Sequence, residues 1–272
     1  MAIHHVPFFS GALYSRKTCC VYVPPGYDSS DEDTAYPVIY LLHGLYGHQL
    51  SWLQNGSAEP TLDRMIESGE LRPCIVVMPD DGGYDHGTFY IDWYDGSGHF
   101  EQYFVYDLVP HIDRNFRTAA DRRHRVLSGL SMGGFGACYL ALRHPDLFGA
   151  AASLSGALGS TAEFGEKEFA RSNFGRIVGP AGGPYARERD LYRLAESKIG
   201  SPDRPALYFN CGVEDYLHPM NMAFKRHLDA IGYPYRYEEF AGEHNWAYWT
   251  GHLPDALRFL EDWFAGQSHV GS

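Results

Sequence analysis

The chain has no basic start followed by an apolar stretch at its N-terminus, "MAIHHVPFFSGALYSRK", and no run approaching the ~20 apolar residues of a membrane span. The first absence speaks against a secretory leader and the second against a spanning helix, so the expectation is a cytoplasmic protein with no membrane span. Clusters of Lys and Arg are missing too. With 22 basic against 34 acidic side chains the formal charge is −12, which argues against a polyanion-binding surface and against nucleic acid as a partner. Cysteine is scarce and odd in number. Cys19, Cys20, Cys74, Cys138 and Cys211 lie mostly in apolar runs, the pattern of packed reduced thiols and not of a disulfide framework. The 14 histidines invite a metal, yet neither H-x-x-x-H nor C-x-x-C occurs, and His4-His5 sit near a terminus expected to be mobile. No metal site is expected.

What is present is a core. At 272 residues, 44% of them hydrophobic and 15% aromatic, the chain is long enough for one large domain spanning 1–272. "SRKTCCVYV" (15–23) partly alternates and ends at Pro24-Pro25-Gly26, which suggests an early strand. "PVIYLLHG" (37–44) and "PCIVVMPD" (73–80) are nearly continuous apolar runs, as in strands buried on both faces, and "EPTLDRMIESGE" between them has helical spacing. A strand, helix, strand unit predicts that these two strands are parallel.

The rhythm continues with a helix over 101–116 kinked at Pro110, a strand over 125–130, a helix over 133–144 and a strand over 149–156. A strand over 204–212, the helical "NMAFKRHLDAIG", the strand-like "YRYEEF" and a last helix over 254–266 complete it. Such alternation indicates an α/β fold, a mostly parallel sheet with helices on both faces. Residues 157–203 break the periodicity and read as an excursion or partial lid between two strands.

The only G-x-S-x-G is Gly129-Leu130-Ser131-Met132-Gly133. In a chain with 30 glycines the bare pentapeptide says little, and a Gly-rich turn with Ser131 as a helix cap would spell the same letters. Context is more telling: a strand signal precedes it and a helix signal follows, the setting in which a nucleophilic serine sits on a sharp turn. Glycines on either side let strand and helix approach closely.

A serine hydroxyl needs a general base, and that base needs an orienting carboxylate. In this fold both lie past later strand ends, in the order Ser, acid, His. Directly after "ALYFNCG" come Glu214 and Asp215, and directly after "YRYEEF" comes the loop carrying His244. Asp215 is the expected acid, with Glu214 as the alternative; His244 is the expected base, and His218, in the acid's own loop, the weaker one. Oxyanion donors are expected from the N–H of Met132, at the start of a helix, and of Leu45, in the "HGLYGHQLSW" loop after an early strand. Trp93, in "FYIDWYDG" (89–96), and Trp246, just past His244, are candidate pocket residues.

With these residues in place the chain resembles the esterase D-like group of α/β-hydrolases, which includes tributyrin-type, feruloyl and acetylxylan esterases, S-formylglutathione hydrolases and antigen 85 mycolyltransferases. The likeness runs through "YPVIYLLHGLYG", "VVMPDDGG", "FYIDW", "DLVPHIDRNFRT", "RVLSGLSMGGFGA", "LRHPDLFGAAASLSGAL", "CGVEDYL" and "GEHNWAYW". It implies a cofactor-free serine carboxylesterase acting on a small-molecule ester, short-chain acyl or aryl and including feruloyl or acetyl sugar esters. In it Ser131, Asp215 and His244 form the triad, and Leu45 and Met132 line the oxyanion hole. Acyl transfer to an alcohol, S-formylglutathione-type thioester hydrolysis and a non-catalytic binding role on the same scaffold stay open at this point. So does homo-oligomerisation.

Overall fold

A computed structural model describes residues 2–83, 87–161 and 174–268. Its strands are β1 (Ala2–Ser10), β2 (Ser15–Val23), β3 (Val38–Leu42), β4 (Ile75–Pro79), β5 (Arg125–Leu130), β6 (Ala150–Leu154), β7 (Ala206–Gly212) and β8 (Tyr235–Phe240). They form one eight-stranded sheet in the order β1-β2-β4-β3-β5-β6-β7-β8. β1 and β2 run antiparallel to their neighbours, and every pairing from β4 to β8 is parallel, including the β3–β4 pair expected from the strand, helix, strand pattern.

The continuous apolar runs have the expected cause: both faces of these strands are covered. Along β3, Val38, Tyr40 and Leu42 enter one core cluster and Ile39 and Leu41 the other. Over the second face lie α1 (Ser51–Gln54), α2 (Ala58–Glu67), which contributes Leu62 and Met65, and α10 (Trp246–Ser268), which contributes Leu253, Leu257 and Leu260. Over the first lie α3 (Phe100–Gln102), α4 (Val109–Asn115), α5 (Met132–Arg143), three short helices and α9 (His218–Ile231). The short helices, α6 (Phe174–Val178), α7 (Pro184–Glu188) and α8 (Leu191–Ser197), make up the described part of the 157–203 excursion; its residues 162–173 lie outside the described residues. Phe174 packs edge-on against Phe89 at 4.9 Å, and Tyr94 donates its N–H to Ile177 O at 3.0 Å, so α6 is seated on the 89–96 loop.

Three expectations need correction. The N-terminal segment expected to be mobile is strand β1, paired with β2 along its whole length. His4 meets Phe116 edge-on at 5.8 Å, and Phe8 is buried on Tyr103. The irregularity expected at Pro110 is a π-helical stretch, Tyr103–Leu108, that runs without a break into α4; Val109 N–H donates to Phe104 O, and Pro110, which has no N–H to give, follows where the hydrogen-bond ladder is already shifted. The last helix starts at Trp246 and carries Pro254 inside it. The five cysteines are buried and unpaired, and burial pushes the Cys138 thiol up to about 12.

Candidate active site

Every residue of β5 is buried, and its end turns into α5 at one position. Ser131 has φ 54° and ψ −119°, a backbone conformation that side chains other than glycine rarely adopt. It is held there from both sides: its N–H donates to Leu154 O at 2.9 Å, while its carbonyl accepts from Ala157 N–H at 3.1 Å and Phe135 N–H at 3.1 Å. The flanking glycines permit the turn. A Cβ on Gly129 would lie 2.4 Å from Gly133 O, and one on Gly133 would lie 2.5 Å from His43 O. Ser131 makes no side-chain cap to its helix, so the capping alternative fails.

Instead its hydroxyl donates to His244 Nε2 across 2.9 Å. His244 Nδ1–H in turn donates to Asp215 Oδ2 across 2.8 Å. The Asp215 side chain is 0% exposed, and its second oxygen accepts Leu217 N–H at 2.7 Å, so both carboxylate oxygens have donors. The imidazole stands between two rings, with Tyr216 at 4.6 Å and Trp249 edge-on at 4.9 Å. This settles which groups meet the serine. Glu214 points elsewhere and accepts Gly242 N–H, and His218 pairs with Glu239 at 3.1 Å.

Ser131 opens onto a cleft of about 540 Å³ lined on one side by Gly44, Leu45, Tyr46 and His48 and on the other by Tyr216, His244, Asn245 and Trp246. Leu45 thus lines the cleft into which Ser131 opens. Met132 is buried at the first position of α5, where the helix geometry gives a backbone N–H no intrahelical acceptor. Trp246 lines the cleft and packs edge-on against Trp52 and Trp249 at 5.5 and 5.3 Å. Trp93 does not line it. Its indole donates to Thr88 O at 3.2 Å and its ring meets Phe100 at 5.6 Å, so this residue is core and braces the 87–93 loop beneath the site. That loop supports the turn directly, since Phe89 N–H donates to Met132 Sδ at 3.4 Å and Tyr90 OH to His43 O at 3.1 Å.

Sequence reasoning passed over Tyr46, His48, Asn55, Tyr216 and Asn245 as cleft residues. For Tyr46, Tyr216 and Asn245 a signal exists, since they directly follow Leu45, Asp215 and His244. For His48 and Asn55 only the fold brings them there. Among the described residues no three His, Cys, Asp or Glu side chains gather as a metal ion would need, and no helix is long and apolar enough to cross a membrane.

A mostly parallel eight-stranded sheet with a serine on a positive-φ turn after β5 and its partners past β7 and β8 defines an α/β-hydrolase. Comparison with known proteins agrees. A solved ferulic acid esterase superposes with a TM-score of 0.83 at 26% identity, over 97% of this chain and 98% of that one. The family described as "Putative esterase" matches residues 10–260, and the chain belongs to it. An endo-1,4-beta-xylanase/feruloyl esterase of Xylanibacter ruminicola is 36% identical over 156 residues; the alignment takes in 57% of this chain and only 21% of that protein's length. An acetyl esterase of Caldicellulosiruptor saccharolyticus is 23% identical over 96% of this chain and 98% of its own.

Proposed function

We propose that this chain is a serine carboxylesterase, one α/β-hydrolase domain hydrolysing short-chain acyl or aryl esters through Ser131, His244 and Asp215. The observation that carries the reading is the unbroken chain of hydrogen bonds, 2.9 Å from Ser131 to His244 and 2.8 Å from His244 to a fully buried Asp215. His244 Nε2 takes the Ser131 proton as Oγ attacks the ester carbonyl carbon. Asp215 holds the ring in the Nδ1–H tautomer and stabilises the imidazolium that forms. The N–H groups of Leu45 and Met132 receive the oxyanion, and the positive end of α5 adds to the field. Collapse breaks the ester C–O bond, His244 returns the proton to the departing alcohol, and water repeats the route to release the acid. No cofactor takes part.

The mix of Tyr46, Tyr216 and Trp246 with Asn55, Asn245 and His48 around the cleft suits an ester with an aromatic or sugar portion, which favours feruloyl or acetyl sugar esters. The test is a rate panel of acetyl, butyryl and octanoyl aryl esters, methyl ferulate, acetylated sugars and S-formylglutathione on wild type and Ser131→Ala. The expected result is fluorophosphonate labelling at Ser131 and a kcat loss on the order of 10⁶ in the variant. Normal ester turnover by Ser131→Ala would overturn the assignment.

A further inference from the structure

His43 is 2% exposed, stands beside the reaction centre and has no part in the mechanism above. Its Nδ1 lies 2.8 Å from Gly44 O. Two acceptors would repel at that distance, so Nδ1 carries the proton and donates it to the carbonyl. Nε2 has no hydrogen-bond partner among the described residues, so the ring's one polar contact there is the bond to Gly44 O. Gly47 N–H donates to the same carbonyl at 3.1 Å. Space for the ring is kept by the absence of a side chain on Gly47, where a Cβ would lie 2.7 Å from Nδ1. The His43 carbonyl is itself held by Tyr90 OH at 3.1 Å.

The consequence follows from the planarity of the peptide bond. Gly44 C=O and Leu45 N–H belong to one trans peptide unit and point in opposite directions. Whatever holds the carbonyl aims the N–H. We infer that His43 is a positioning residue that sets the Leu45 N–H toward the oxyanion, by holding Gly44 O on the buried side of a peptide whose other side faces the cleft. The inference rests on the reading of Leu45 N–H as an oxyanion donor. It adds that the donor's direction is imposed by the His43 imidazole and not by the loop backbone alone.

The experiment compares His43→Leu, which keeps bulk and removes the donor, with His43→Asn, whose side-chain amide can supply an N–H from the same δ position. Assays are aryl ester hydrolysis, inhibition by an aryl boronic acid that forms a tetrahedral adduct on Ser131, and thermal unfolding. His43→Leu is expected to lose kcat/KM on the order of 100-fold, with the boronate Ki rising in parallel and KM within about threefold. His43→Asn is expected to regain most of both. A role in packing alone would lower the unfolding temperature without raising Ki in step with kcat/KM. If His43→Leu does not fold, Gly47→Ala, which keeps the ring but displaces it, takes its place. Wild-type kcat/KM in a folded His43→Leu or in Gly47→Ala overturns the inference, as does a His43→Asn no faster than His43→Leu. Absence of ester turnover in the wild type would instead sink the esterase reading itself.

Discussion

Replacing Asp215 by Asn changes one atom and, through the surrounding bonds, the tautomer of His244, the base proposed for Ser131. Oδ1 of Asp215 accepts Leu217 N–H at 2.7 Å and Oδ2 faces His244 Nδ1 at 2.8 Å. An asparagine has a single acceptor oxygen. Leu217 N–H can only donate, so the amide oxygen stays with it and the NH₂ turns toward Nδ1. Nδ1 must then accept, which moves the ring proton to Nε2. A protonated Nε2 faces Ser131 Oγ at 2.9 Å and cannot take its proton. The wrong tautomer in a triad costs about 10⁴ in kcat, close to 5.4 kcal/mol of barrier at 1.36 kcal/mol per tenfold. The expected outcome is that loss in steady-state hydrolysis of an aryl butyrate at pH 7, with KM within a few-fold and near-wild-type circular dichroism. The reasoning is refuted if Asp215→Asn keeps kcat within tenfold of wild type, or if Glu214→Gln is the variant that loses it.

Trp93→Ala is expected to destabilise the fold by about 3–5 kcal/mol in chemical denaturation, because it empties a core position, while leaving KM near wild type. Trp246→Ala should do the reverse, raising KM for bulky esters with a smaller effect on stability; the same effect on KM from both would contradict their different surroundings. Glu101 sets an acid limit. Burial works to raise its carboxyl, but hydrogen bonds from His144 and Tyr139 and the nearby positive charges hold it below the usual glutamate value. A depressed native value stabilises the fold above the unfolded value of about 4.3 and loses that contribution as pH falls. Wild-type unfolding temperature should therefore drop steeply below about pH 4, and Glu101→Gln should start lower at pH 7 and depend less on pH; parallel curves would exclude this linkage.

Much of this was legible because local pattern and tertiary role coincide. β5 and α5 announce themselves by a buried run, two flanking glycines and a helical stretch, and Asp215 and His244 follow strand ends that composition alone marks. The choice between Glu214 and Asp215 was different in kind. Adjacent residues diverge in direction, and what separates them is a pair of backbone donors: Leu217 N–H, which Asp215 takes, and Gly242 N–H, which Glu214 takes. Neither is visible in a string of letters. Trp93 stays a mere pocket candidate in the sequence because its loop has no period to orient its side chains; its burial and the bond to Thr88 O place it in the core. β1 was missed since two histidines and Pro7 obscure the alternation in "AIHHVPFFS", and α10 was begun late since Pro254 reads as a start when it sits inside the helix.

Ser131 and His244 are separated by 113 residues and Asp215 and His244 by 29, and each stands on a loop that follows a different strand. No fragment ending before β8 contains a complete proton relay, however well its own strands pair. During refolding, then, ester turnover reports the docking of the last strand and its loop, and it must lag behind probes of the β3–β4–β5 centre. Contacts so distant along the chain close late and slowly. The enzyme's own chemistry is thus a clock for the final stage of its folding.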